Sequence, residues 1–243
     1  MASLPHLNRA SVLFAALMMC ASVGCQRTAD TESSLLDQIE AVRGGKSTQI
    51  VVESQPTGDA DLQRLTGLEK LHALVLDDRS NTITDAGVQA LTDLPALVHL
   101  RIRGGEIGDA GLATIAQLKS LEIVNLPHTH ATDAGLASLG ALPNLVQLRL
   151  GSPNITDAGV AELKRFLSLR RVHLIDVPLT DAGLGVFHDM PNLESLYLDG
   201  TRVSDAAYEA LFQARPKLHV HINQQHHDRD PHTHEYPSNA GGS

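Results

Sequence analysis

The chain has no tryptophan, and aromatic residues make up only 3% of its 243 positions. Any core it builds is therefore aliphatic. Cysteine occurs twice, at Cys20 and Cys25, both near the N-terminus. The rest of the chain has no thiol for a disulfide, a thiolate metal site or a cysteine nucleophile. Positive charge is scarce too: 19 lysines and arginines against 28 acidic residues give a formal net charge of −9. That balance argues against nucleic-acid binding and against attraction to anionic lipid. Familiar catalytic signatures are missing. There is no Gly-rich phosphate loop, no Gly-x-Ser-x-Gly elbow and no His-Glu-x-x-His zinc helix. The expectation is a protein that binds rather than catalyses, with no cofactor required.

After Arg9, residues 11–21 (SVLFAALMMCA) form an apolar run. It has the length of a signal-peptide core and is shorter than the roughly 20 apolar residues of a membrane-spanning helix. Ser22-Val23-Gly24-Cys25 follows. Small residues before a cysteine resemble a bacterial lipobox, with Ser22 where leucine is usual. The resemblance implies acylation of Cys25 as a new N-terminus, and Gln26 after it implies outer-membrane retention. Ordinary secretory cleavage near Gly24, leaving a secreted protein, is the alternative. Residues 1–25 are read as a signal peptide and 26–33 as a polar tether.

From residue 34 the sequence becomes periodic. Leu35, Leu36, Ile39 and Val42 share a helical face, and Gln49-Ile50-Val51-Val52 reads as a strand, so 34–57 is an N-terminal cap. A 24-residue unit then takes over. Thr-Asp-Ala-Gly recurs at 84–87, 132–135, 156–159 and 180–183, with looser copies at 58–61, 108–111 and 204–207. Apolar residues follow at helical spacing, as in Leu136, Leu139 and Leu142. The second half of each unit reads Leu-x-x-Leu-x-Leu, as in Leu145, Leu148 and Leu150, which is a strand with one buried face.

Leu-x-x-Leu-x-Leu at a 24-residue period resembles a leucine-rich repeat, and the Thr-Asp-Ala-Gly-Leu phrase is similar to the cysteine-containing class of bacterial repeats. The resemblance covers residues 58–223. It implies an α/β solenoid with a curved parallel sheet on its concave side and short helices on its convex side. About six or seven parallel strands are expected, the last displaced by one residue at Leu218. Thr, Ser or Gly suits a helix N-cap. The following Asp suits the positive end of the helix dipole. The recurring Gly suggests close approach between turns.

If the phrase is scaffold, function falls to the outward strand positions. The central column reads Val75, Arg101, Asn125, Arg149, His173, Tyr197 and His221. Arg103 and Arg171 flank it, and Asp77 and Asp199 stand towards the ends. Arg101, Arg103, Arg149, Arg171, His173 and an exposed Tyr197 thus form a basic centre suited to an acidic protein partner. Ordinary surface polarity is the competing reading.

Residues 224–243 are polar and read as a disordered tail. They and the last strand hold His219, His221, His226, His227, His232 and His234. Imidazole suits Zn or Cu, so the alternative function is periplasmic metal binding through this terminus. The primary expectation is a monomeric, lipid-anchored cell-envelope protein that binds a protein partner through its concave face, with no role in nucleic-acid binding.

Overall fold

The computed structural model describes residues 33–53, 55–77 and 82–226. The expected signal peptide with Cys25, residues 26–32 of the expected tether, and His227, His232 and His234 lie outside the described residues.

Helix α1 (Leu35–Arg43) is started by a capping box: the Ser34 hydroxyl accepts the Asp37 amide, and the Asp37 carboxylate accepts the Ser34 amide. Leu35, Ile39 and Val42 form its buried face. Gln38 on the same helix closes the edge of strand β1 (Gln49–Val52). Its side-chain oxygen accepts the Val51 amide at 2.7 Å and its side-chain nitrogen donates to the Val51 carbonyl at 2.8 Å. The amide side chain imitates a neighbouring strand and so protects an edge that would otherwise pair with another chain.

The repeats supply β2 (Ala73–Asp77), β3 (His99–Arg103), β4 (Ile123–Leu126), β5 (Gln147–Gly151), β6 (Arg171–Ile175), β7 (Ser195–Asp199) and β8 (His219–Ile222). With β1 they make eight parallel strands in sequence order, and a two-residue β9 (Gln225–His226) joins β8 antiparallel. Eight exceeds the expected six or seven because β1 and β8 both pair fully with the repeat strands. The expected displacement of the last strand is not found. Leu196 pairs with Val220, which keeps the 24-residue register, and only the buried Leu218 is out of phase.

Short helices return the chain on the opposite side: α2 (Asp59–Gln63), α3 (Asp85–Val88), α4 (Asp109–Ile115), α5 (Asp133–Ser138), α6 (Asp157–Ala161), α7 (Asp181–Leu184) and α8 (Asp205–Ala214). Between strands and helices lies one continuous aliphatic core. Leu100, Leu126, Leu148, Leu174 and Leu196 within it have no exposed surface. No unit of this size could enclose such an edge alone; stacking on its neighbours does.

Thr84, Thr132, Thr156 and Thr180 cap their helices as expected, each hydroxyl accepting the amide two residues on. The aspartates do more than face the helix dipole. Asp59, Asp109, Asp133, Asp157 and Asp181 each reach forward to the next unit. One carboxylate oxygen accepts the backbone amide of the next capping residue, and the other accepts its hydroxyl. Asp85 has only the amide of Gly108 to accept, because that capping position lacks a hydroxyl. The phrase is a chain of carboxylate clamps joining successive turns.

The clamps explain the glycine. A Cβ on Gly159 would lie 2.2 Å from Asp133 Oδ1, and one on Gly135 would lie 2.3 Å from Asp109 Oδ1. A second chain of bonds runs after the helices. Ser120, Asn144, Ser168 and Asn192 each donate a side-chain hydrogen bond to a carbonyl of the preceding unit. Much of the polar hardware on the helix side is thus consumed in holding the stack together.

Of the expected disordered tail, residues 227–243 lie outside the described residues, and residues 224–226 are placed in a turn and a strand. Asn223 and Gln224 form a turn at positive φ, and β9 returns along β8.

Candidate functional site

The strands place the outward side chains in columns. Val75, Arg101, Asn125, Arg149, His173, Tyr197 and His221 are register partners in succession. Two ends of this column depart from expectation. Val75 and His221 are each only 5% exposed. Tyr197, expected to be exposed, is half-buried, because its ring stacks on His221 at 4.4 Å between centroids and approaches His173 at 5.5 Å.

The basic centre is also less open than the sequence suggests. Asp77 binds Arg101 Nη2 at 3.0 Å and Arg103 Nε at 3.4 Å. At the other end Arg149 Nε donates to His173 Nδ1 at 3.2 Å, and His173 Nε2 meets Asp199 Oδ2 at 2.9 Å. The guanidinium can only donate. His173 therefore accepts at Nδ1, carries its proton on Nε2 and donates it to Asp199. The two aspartates expected to mark the ends of the surface are thus structural counterions. The sequence could not show this, because each pair spans adjacent repeats.

Charges remain unequal. Arg101, Arg103, Arg149 and Arg171 face Asp77 and Asp199, four against two on this sheet surface. Burial pushes Arg149 below the usual arginine range, and the nearby Arg101 and Arg103 push it further in the same direction. Burial also lowers His173, against the opposing pull of Asp199. His99, beside Arg101 on β3, is pushed down to about 4, chiefly by burial and secondarily by that guanidinium. Both imidazoles are neutral near pH 7, so the excess charge belongs to arginine.

Between the two ion-paired ends lie polar atoms with no partner. Asn125 Oδ1, Gln147 Oε1 and Arg101 Nε are buried without a hydrogen bond. Asn125 sits in register between Arg101 and Arg149, and Gln147 is opposite Ile123 on the next strand. Buried polar atoms are ordinarily satisfied, and leaving one unmade is costly. A cleft of about 570 Å³ adjoins this surface where the chain leaves the strands. Arg103, Gly105, His128, Thr129, Ser152 and Asp176 are among its lining residues. Arg103 belongs to both, so the sheet surface and the cleft are continuous. His128, in the loop after β4, enters the site only through this cleft.

Of the histidines read as metal ligands, His219 and His221 lie together on β8, and His226 is in β9. Among the described residues no group of three or more His, Cys, Asp or Glu side chains is placed to hold a metal. No helix there is long and apolar enough to cross a membrane.

Comparison with known proteins agrees with the architecture. The Leucine Rich repeat family model matches residues 94–116. No curated protein matches the chain. An internalin (InlF) of Listeria monocytogenes superposes with a TM-score of 0.57 at 20% identity, over 80% of this chain and 59% of the internalin. Internalin C2 of the same organism gives 0.50 at 22% identity, over 75% and 80% of the two chains. This chain therefore spans about three fifths of the length of the first relative. At such identities the likeness speaks for architecture alone, and with the parallel sheet and short helices it establishes this chain as a leucine-rich-repeat solenoid.

Proposed function

We propose that this is a non-enzymatic binding protein of the cell envelope, tethered through an acylated Cys25, whose concave face takes an extended, carboxylate-bearing segment of a protein partner. One observation carries the reading. On the concave face, excess guanidinium charge surrounds buried carboxamide and guanidinium atoms that have no partner. The helix side contrasts with it, since the clamps and the Ser/Asn bonds use polar groups internally. An extended peptide offers what the concave face lacks. Its backbone amides can donate to Asn125 and Gln147, and its carboxylates can accept from Arg149 and Arg171. Arginine is common at interface hot spots, where its fork matches a carboxylate.

A photo-crosslinking residue at position 125, in native membranes, is expected to capture a specific protein, and one at the convex position 117 is not. Arg149→Ala with Arg171→Ala should then reduce capture, at a cost in stability of about 1 kcal/mol for the lost Arg149–His173 hydrogen bond. Raising salt should mimic part of that fall in capture. Equal capture from positions 117 and 125 would move recognition off the concave face and refute the reading.

A further inference from the structure

The entry to β4 carries a carboxylate in an apolar setting. Leu121 and Val124 are fully buried, and Glu122 and Ile123 between them are left half-exposed. The Glu122 amide donates to the Val98 carbonyl at 2.9 Å, and the Val146 amide donates to the Glu122 carbonyl at 2.8 Å. Glu122 therefore stands in one row between two valines, with about 4.8 Å between neighbouring strands. Val98 and Val146 are half-buried, like Ile123.

Glu122 Oε2 is buried without a hydrogen bond. The cations around it are committed elsewhere. Lys119 Nζ donates to the Ala116 and Ala141 carbonyls. Arg170, in the same row two strands on, pairs with Glu194. His99, opposite Ile123, is pushed down to about 4 and is neutral near pH 7. Burial raises the Glu122 carboxyl above its ordinary value, and no cation opposes that shift. One position further along, on β5, Gln147 Oε1 is a second buried acceptor without a partner. This corner of the sheet thus lacks donors and positive charge, whereas the arginine centre beside it has positive charge in excess.

We propose that Glu122, with Val98, Ile123 and Val146, forms a subsite for a basic side chain of the partner segment. The subsite rests on the reading of the concave face as a peptide-binding surface. A lysine ammonium only donates. Its four-carbon stem covers apolar surface while its head reaches a charge. The arginines take the carboxylates of the segment and Glu122 takes its cation, so both signs of charge are read. A segment without the basic residue leaves the Glu122 carboxylate desolvated and unpaired, which disfavours it.

n-Butylammonium, which has the stem and head of lysine and no carboxylate, is the probe. Its binding to the full chain is read from the methyl NMR signals of Val98, Ile123 and Val146. Saturable shifts are expected, and neutral n-pentanol at the same concentrations should not produce them. Glu122→Gln should weaken binding about ten-fold. It should also hold or raise the thermal midpoint, because it removes a buried charge that has no partner. Arg149→Ala with Arg171→Ala should leave probe binding intact, so failure of the carboxylate reading and failure of this subsite are separate outcomes. No saturable shift in the wild type, equal shifts with n-pentanol, or undiminished binding by Glu122→Gln would each overturn the proposal. A clear fall in the midpoint of Glu122→Gln would also overturn it, by making Glu122 a structural counterion.

Discussion

Asp133 clamps Thr156 across a repeat boundary: Oδ1 accepts the Thr156 amide and Oδ2 accepts its hydroxyl, both at 2.7 Å. The same threonine hydroxyl then accepts the Ala158 amide at 3.2 Å and caps helix α6. One carboxylate therefore fixes both the spacing of two units and the start of the next helix. Asp133→Ala should cost about 1–2 kcal/mol, the scale of a hydrogen bond to a charged group partly exposed to water. Asp133→Asn keeps one acceptor oxygen and should cost less. Urea denaturation of the two variants checks the order. Equal stability of Asp133→Ala and wild type would show that the clamp contributes nothing.

Glycine at the fourth position of the phrase is required by that same carboxylate. In Gly159→Ala the new Cβ would lie 2.2 Å from Asp133 Oδ1 and 3.0 Å from the Asp133 Cα. Backbone stands behind the carboxylate, so the clash cannot be relieved by side-chain rotation alone. Destabilisation of about 1–3 kcal/mol is expected, as for other overpacked sites. Gly185 is the control. It has φ −55°, and an added Cβ meets nothing within 4 Å. Gly185→Ala should leave stability unchanged or raise it by about 0.4–1 kcal/mol by restricting the unfolded chain. Denaturant midpoints of both variants decide the matter.

Stability should fall in mild acid partly through His99. Its folded pKa is about 4 against an ordinary value of 6.5, so between those values the unfolded chain takes up a proton that the folded chain refuses. The unfolded state is favoured as pH falls through that window, and this group's contribution levels off below about 4. His173, also lowered by burial, acts in the same sense. His99→Gln should flatten part of the decline when unfolding midpoints are compared between pH 7.5 and 4.5, a range set by these shifts. Parallel pH profiles for variant and wild type would contradict the assignment.

Acylation of Cys25 is testable by fractionation. The wild type should partition with membranes, and Cys25→Ser should abolish lipid incorporation and release the protein. An unmodified Cys25 on wild-type protein in the soluble periplasmic fraction would replace the lipid anchor with simple export.

Sequence periodicity by itself determined the solenoid. Leu145, Leu148 and Leu150 recur at 24-residue spacing, and a unit of that length can bury its apolar edge only against another copy. The same spacing put Arg101, Asn125, Arg149 and Tyr197 in one column, since strand alternation and register follow from counting. Tertiary structure alone decided what those residues do. Asp77 looked like a terminal charge until stacking brought Arg101 and Arg103 to it, and Asp199 until it met His173. The aspartate of the repeated phrase read as a helix-dipole partner until its distance to the next threonine was known. Local patterns report which face a side chain takes, because that depends on backbone period. Pairing between side chains in different turns depends on rotamers, burial and distances of a few ångströms, which no count along the chain contains.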